Sequence, residues 1–577
     1  MSKKKVAKDT KNLVFIILLV LIGLTIFIQT TTYDFVWDDN PLYLNQTNYP
    51  VNNAFGKIEK FWTLNEMPMF APVTYTTWSI ITGFSSENKS NTFNRSPVLF
   101  HFVNVILHII NSILIFQILL TLFKNKTASF SGALIFLIHP LAVESVAWIS
   151  ELRGLLSACF GFLAIFLFLQ NSISAAELKK SKKKNILTYL LIILSFLSKP
   201  SGIIFPLILI VLDYFSLSKS KKEKLITYLT SSIFLILFLF LSVNSESNAQ
   251  KFVAPELWTR ALLPFFSFIF YVIKFVLPVD LSAVYGLTPN YLTQQSIIYI
   301  YPVLFLILSV LIFIFRKKTP IIILGFVIAF ISTLPTSGLI PFYYQTFSTV
   351  ADRYFYIPLL GMSIIVAYIV GHVLNEKYRI TAISIIGIIL GLISFNQANN
   401  WKSEFSHWNN VISKSSIGIP QAFMGRGEEW ITKGRYNEAI SDFSEAIKID
   451  PEGHVYYYNR GNAYMDLKKF EKAISDYTRT IELNPKYIDA YINRGLTYSE
   501  MIDTNSKYLA INDFRNALKI NPNQPDALNS IGVIYAQMGK FDSALSFFSE
   551  VVKLNPNDAE AIENLKQVKT EIQKRNK

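Results

Sequence analysis

The residues of this 577-residue chain that could do chemistry are costly where they sit. Asp38 and Asp39 close the run Tyr33-Asp34-Phe35-Val36-Trp37-Asp38-Asp39, directly behind the first apolar segment. Adjacent carboxylates repel each other. One can act as general base toward a hydroxyl while its neighbour tunes its pKa or holds a cation; a solvated loop with helix-capping aspartates is the plainer reading. His101, Asn104, His108 and Asn111 follow at spacings of three, four and three, which places them on one helical stripe. Such a stripe in a span faces protein or a water-filled cavity, and helix–helix hydrogen bonding explains it as readily as a binding path. His139-Pro140, Glu144, Trp148, Glu151 and Arg153 crowd the junction between two apolar segments. Lys199 and the run Asp352-Arg353-Tyr354-Phe355-Tyr356-Ile357-Pro358 place cations at outer span ends, against the trend that keeps basic residues in the cytoplasm. An outward Lys or Arg can grip a phosphate, Arg as a fork and Lys as a point charge, or anchor lipid headgroups.

The elements that must position these residues are apolar helices. Half of the chain is hydrophobic (51%) and only 16% is charged, against about 25% in soluble domains. That excludes a disordered chain. One cysteine, Cys159, excludes a disulfide scaffold or a cysteine-based zinc site. The net charge of +14 divides unevenly: residues 420–577 carry 21 basic and 22 acidic residues, so the excess lies in the apolar part. There it clusters in short loops (Lys179–Lys184, Lys219–Lys224, Arg316–Lys318, Lys377–Arg379), which fits the positive-inside rule and not a nucleic-acid interface. The run Leu13–Ile28 behind Lys3, Lys4, Lys5, Lys8 and Lys11 has no small-residue cleavage site after it, so it reads as an uncleaved first span with a cytoplasmic N-terminus. Alternation of the basic loops predicts about eleven spans over residues 1–400, with 261–279, which holds Pro264 and Lys274, as a re-entrant segment. The lipid bilayer is then one partner, and the unusual residues face outward.

Residues 401–419 read as a linker, 420–558 as four repeats and 559–577 as a capping helix and tail. Pro451, Pro485, Pro522 and Pro556 recur at 34, 37 and 34 residues. Counting back from each gives an aromatic or Leu, Gly, an aromatic, Ala and an aromatic, as in Phe423, Gly427, Trp430, Ala439 and Phe443. Gly and Ala let paired helices approach, and the aromatic fills the gap beside them. This is the tetratricopeptide pattern. The fold class is therefore all-α, a multispan membrane part followed by an α-solenoid that can bind an extended peptide.

Taken together, the acidic pair, Phe100-His101-Phe102-Val103-Asn104-Val105-Ile106-Leu107-His108, His139-Pro140 with Glu144, Lys199, and Arg353-Tyr354-Phe355-Tyr356-Ile357-Pro358 resemble the GT-C membrane glycosyltransferases. The branch they resemble is the transmembrane-and-tetratricopeptide protein O-mannosyltransferases and their bacterial relatives. The resemblance implies a polyprenyl-phosphate sugar as donor, mannose among the candidate sugars, and a protein or peptide hydroxyl as acceptor outside the cytoplasmic membrane. It implies Asp38 or Asp39 as catalytic base, with His101, His139, Glu144, Arg153, Lys199, Arg353 and Tyr354 around the substrate. It implies no certain cofactor; a divalent cation is open. A non-enzymatic membrane-anchored scaffold, in which the repeats alone bind partners, is the competing reading.

Overall fold

The computed structural model describes residues 3–39, 61–63, 70–84, 96–173, 178–215, 221–246, 255–317, 319–415, 417–501 and 504–575. The described residues fold into helices and form two compact units, Met1–Ile417 and Gly418–Lys577.

Among the described residues of the first unit seven helices are long and apolar enough to cross a membrane: Asn12–Thr32, Val98–Phe123, Ile149–Asn171, Lys224–Leu241, Leu257–Val276, Ile297–Ile314 and Glu376–Trp401. A bent pair, Lys126–Ile138 and Pro140–Ala147, makes an eighth candidate. Four shorter apolar helices add Ile186–Ser198, Pro200–Phe215, Pro320–Thr336 and Leu359–Val373. The helix over Ile149–Asn171 is mostly buried, whereas Ile297–Ile314 is 6% buried and presents its apolar surface outward. The first is core and the second is rim, which is the division that burial of polar groups inside a bilayer demands.

The broken segment is not the one expected. Leu257–Val276 is one continuous helix despite Pro264, because neighbouring helices in a membrane protein can re-satisfy the carbonyl that a proline frees. The 52° break falls instead at His139-Pro140. The residue before a proline is driven from helical to extended backbone, and His139 sits at φ −71°, ψ 132°. Its Nδ1 then accepts the Leu141 N–H and caps the next turn. Elsewhere the helices Pro320–Thr333 and Leu359–Tyr368 cross at Gly325 and Gly361, where a Cβ on Gly361 would lie 2.3 Å from the Gly325 carbonyl oxygen. Small residues permit that approach in membranes.

Residues 401–419 are not a free linker. They contain the helix Glu404–Lys414, which packs within the first unit through His407 and Trp408. The second unit pairs helices Pro420–Thr432 with Tyr436–Ile449, His454–Asp466 with Phe470–Leu483, Ile488–Glu500 with Thr504–Ile520, and Pro525–Gln537 with Phe541–Leu554, followed by Ala559–Arg575. The repeat glycines do what their spacing implies. A Cβ on Gly427, Gly461, Gly495 or Gly532 would lie 2.5–2.8 Å from the ring of Phe443, Tyr477, Phe514 or Phe548.

Candidate active site

The loop after the first span is anchored at both ends. The Tyr33 hydroxyl donates to Asn399 Oδ1 at 3.1 Å, and the Asp34 N–H donates to the Lys402 carbonyl at 3.2 Å. Trp37 has φ 58°, the left-handed region that costs a bulky residue about 1–2 kcal/mol. Its surroundings hold it there. Its N–H donates to Glu404 Oε1 at 2.6 Å, and its ring stacks on Trp148 at 4.9 Å and on His407 at 5.2 Å. The segment that reads as a linker therefore clamps the loop that carries the acidic pair.

The two aspartates have different surroundings. Asp39 is buried and accepts three hydrogen bonds: Ser150 N–H at 2.8 Å, Ser150 Oγ at 2.5 Å and Val36 N–H at 3.1 Å. Burial pushes its carboxyl up to about 7 against the pull of those donors. A carboxyl near 7 has the proton affinity of a base, but geometry comes first, and both of its oxygens are taken. Asp38 is half-buried. Burial raises its pKa, and Arg153 and Arg353 lower it. It is the member of the pair with reach.

Opposite lies a network of two glutamates and three cations. Glu144 accepts from Arg353 Nη1 at 2.5 Å and from the Arg353 N–H at 2.9 Å. Both oxygens of Glu151 accept from Lys199 Nζ, at 3.0 and 2.8 Å. Arg153 and Arg353 approach the same carboxylate at 3.6 and 3.9 Å. The Arg353 guanidinium also lies among aromatic faces, 4.2 Å from the Tyr344 ring centre, 4.8 Å from Tyr354 and 5.2 Å from Trp148. Gly154 makes room for the network, because a Cβ there would stand 2.5 Å from Glu151 Oε2. A small pocket opens beside it, lined by Glu151, Gly154, Lys199, Ser201, Arg353 and Tyr354.

Of the expected residues, Asp38, Asp39, Glu144, Arg153, Lys199, Arg353 and Tyr354 come together around this network. His101 lies at its edge, buried beside the Tyr33 ring and the backbone of Tyr33, Asp34 and Ala147. His139 does not join. Its Nε2 meets the Phe275 carbonyl at 3.0 Å and its ring lies flat on Phe275, so it is a corner residue of the bent helix pair. The rest of the polar stripe is a strut: Asn104 donates to the Trp148 carbonyl, His108 bonds the Tyr356 hydroxyl and the Leu137 carbonyl, and Asn111 donates to the Leu155 carbonyl. Ser150, Tyr344, Glu404 and His407 are neighbours of this cluster that the sequence did not mark. A serine beside a glutamate has no motif, and Glu404 and His407 become visible only once residues 401–414 are known to be helical.

Three carboxylates of this cluster are already taken by protein donors. Those of Asp39, Glu144 and Glu151 are committed to Ser150, Arg353 and Lys199, and among the described residues no group of three His, Cys, Asp or Glu side chains gathers to hold one.

Comparison with known proteins adds three findings. Tetratricopeptide repeat families match residues 454–487 and 525–558, and 427–468 and 509–539. The chain is also similar to protein O-mannosyl-transferases. It is 25% identical to one from Caenorhabditis elegans over 75% of this chain and 63% of that protein, and 34% identical to TMTC1 of Homo sapiens over 24% of this chain and 16% of that one. The chain thus spans less than two thirds of the length of these relatives. Among solved structures, the crystal structure of MamA aligns with 32% of this chain and 96% of its own length, at 23% identity and a TM-score of 0.25.

Proposed function

We propose that this chain is a membrane glycosyltransferase that moves a sugar, mannose first among the candidates, from a polyprenyl-phosphate donor to a hydroxyl of a protein or peptide. The observation that carries the reading is the cluster of Glu144, Glu151, Arg153, Lys199 and Arg353 around a small pocket that Lys199 and Arg353 line, with half-buried Asp38 within electrostatic reach of Arg153 and Arg353. The similarity to proteins named O-mannosyl-transferases supports the same reaction class.

In this mechanism the acceptor oxygen attacks the anomeric carbon. The bond from that carbon to the phosphate oxygen breaks, its electron pair leaves on the lipid phosphate, and the acceptor proton passes to Asp38. Charge grows on the phosphate as the bond breaks, so fixed cations at that point lower the barrier. Glu144 and Glu151 balance two of the three cations and ionised Asp38 faces the third, so one positive charge is left for the phosphate only as the acceptor proton neutralises Asp38. Arg353 is the fork, and Lys199 is the point charge at the pocket wall. Asp39 acts through Ser150 as the pin that fixes the loop. No step needs a divalent cation. The basic N-terminal segment supports a cytoplasmic N-terminus; a catalytic face and repeats outside a bacterial cytoplasmic membrane belong to the proposal. The repeats would present the acceptor.

The test uses purified full chain in nanodiscs with a set of polyprenyl-phosphate sugars and a peptide pool, with transfer followed by mass spectrometry. Sugar on peptide is the expected result. No transfer from any donor, with the repeats still binding peptide, would favour the scaffold reading.

A further inference from the structure

The second unit segregates its charges by helix. The first helices of the four repeats, Pro420–Thr432, His454–Asp466, Ile488–Glu500 and Pro525–Gln537, contain no lysine. Their three arginines are all locked inward. Arg426, Arg460 and Arg494 each fork onto an aspartate of their own second helix, Asp442, Asp476 and Asp513, at 2.7–2.8 Å. What remains on the first helices is acidic. Glu428, Asp466, Asp489 and Asp526 are exposed and have no ion-pair partner among the described residues. The lysines lie on the second helices and in the turns, as at Lys448, Lys472, Lys486, Lys519 and Lys553.

The acidic residues share one continuous face. The first helices of repeats one to three are bonded in series there, Asn459 donating to Glu428 and Asn493 to the Tyr458 hydroxyl, and the last helix is bonded to the first helix of repeat four through Asn564 and Asn529. Asn529 also donates to Glu560, the second residue of the last helix. Asp489 and Asp526 are likewise the second residues of their helices, so they hold the same place on that face. Inner faces of solenoids bind extended chains.

From this segregation we propose that the face binds an extended polypeptide segment bearing several lysines or arginines, so that the partner of the repeats is a basic stretch of protein. The proposal rests on the reading of the repeats as the partner-binding unit, and it is independent of which sugar moves. Surface charges arranged this way set selectivity and encounter rate, and they respond to salt.

The test is fluorescence anisotropy on the full chain in nanodiscs of zwitterionic lipid, with three labelled peptides of equal length that are basic, neutral or acidic. The basic peptide is expected to bind, and to weaken as salt rises. The combined variant Glu428→Gln, Asp466→Asn, Asp489→Asn, Asp526→Asn is expected to weaken it by about tenfold or more. A control set on second helices, Glu438→Gln, Glu445→Gln, Glu471→Gln, Glu482→Gln, is expected to leave it unchanged. Equal binding of all three peptides, no binding of the basic one, or equal loss in the control set would overturn the proposal. The peptide and salt series need no substitution, so a variant that fails to fold does not blunt the test. Basic-peptide binding without sugar transfer would overturn the glycosyltransferase and leave this proposal standing. Transfer to a hydroxyl peptide that is indifferent to peptide charge would overturn this proposal alone.

Discussion

The two units treat buried charge in opposite ways. In the repeats the Arg–Asp fork recurs three times, at Arg426–Asp442, Arg460–Asp476 and Arg494–Asp513, always joining the paired helices. In the fourth repeat the same two positions hold Ile531 and Phe547, which join the apolar core there. A charged pair that an apolar pair can replace is packing, and buried ion pairs exchange for hydrophobic ones at little cost. In the membrane unit the network of Glu144, Glu151, Arg153, Lys199 and Arg353 occurs once. It draws on positions up to 209 residues apart, and its two glutamates are shared among three cations. Gathering so many ionisable groups in a membrane domain is expensive. The repeats use charge to hold helices together, whereas the membrane unit gathers charge once, beside a pocket, where the proposed donor phosphate would sit.

The largest effect should come from breaking the network. Arg353→Ala leaves Glu144 buried and unpaired, which costs about 3–5 kcal/mol, and it should remove transfer and lower the melting temperature together. Arg353→Lys keeps the charge and loses the fork, so transfer should still fall by about 100-fold while most of the fold survives. A lysine variant with full activity would reduce Arg353 to a counter-ion. Next in size is Asp39→Asn. An amide nitrogen would face a backbone or hydroxyl donor now bonded to the carboxylate, and the loss is about 1–3 kcal/mol, read as a lower melting temperature. Gly154→Ala should follow, because the added methyl displaces Glu151; transfer should fall more than stability. Smallest is the exchange in repeat two. Arg460→Ile with Asp476→Phe should stay within about 1 kcal/mol of the parent, while Asp476→Ala alone costs about 1–3 kcal/mol. Thermal melts of the three chains decide it. An exchange as damaging as the single substitution would erase the contrast between the units.

A pH profile sharpens the contrast further. Asp38 has a raised pKa because burial outweighs the pull of Arg153 and Arg353. A base works deprotonated, so activity should rise with pH along a limb that lies above the ordinary carboxylate range.

The repeats were almost wholly legible in the sequence, because each repeat builds its contacts from neighbours and the pattern is written four times. The membrane site was legible as a set of residue types. Asp38, Asp39, Glu144, Lys199 and Arg353 stood out because ionisable groups at span ends are rare. Their pairing was not legible, since contacts such as Arg353 with Glu144 leave no local period. His139 misled for a related reason: a histidine before proline at a span junction looks reactive, and only the flat contact with Phe275 reveals a corner. The clamp formed by Glu404 and His407 stayed hidden because a short, polar, weakly apolar segment between two clear domains reads as a connector.

The most direct test of the account compares the parent, Asp38→Asn and Asp39→Asn in the same nanodisc transfer assay, with melting temperature measured beside each. The account expects Asp38→Asn to abolish transfer while melting like the parent. It expects Asp39→Asn to melt earlier and to keep part of its transfer below that melting temperature. Full transfer by Asp38→Asn would contradict the assignment of the base, and with it the division of labour between the two aspartates.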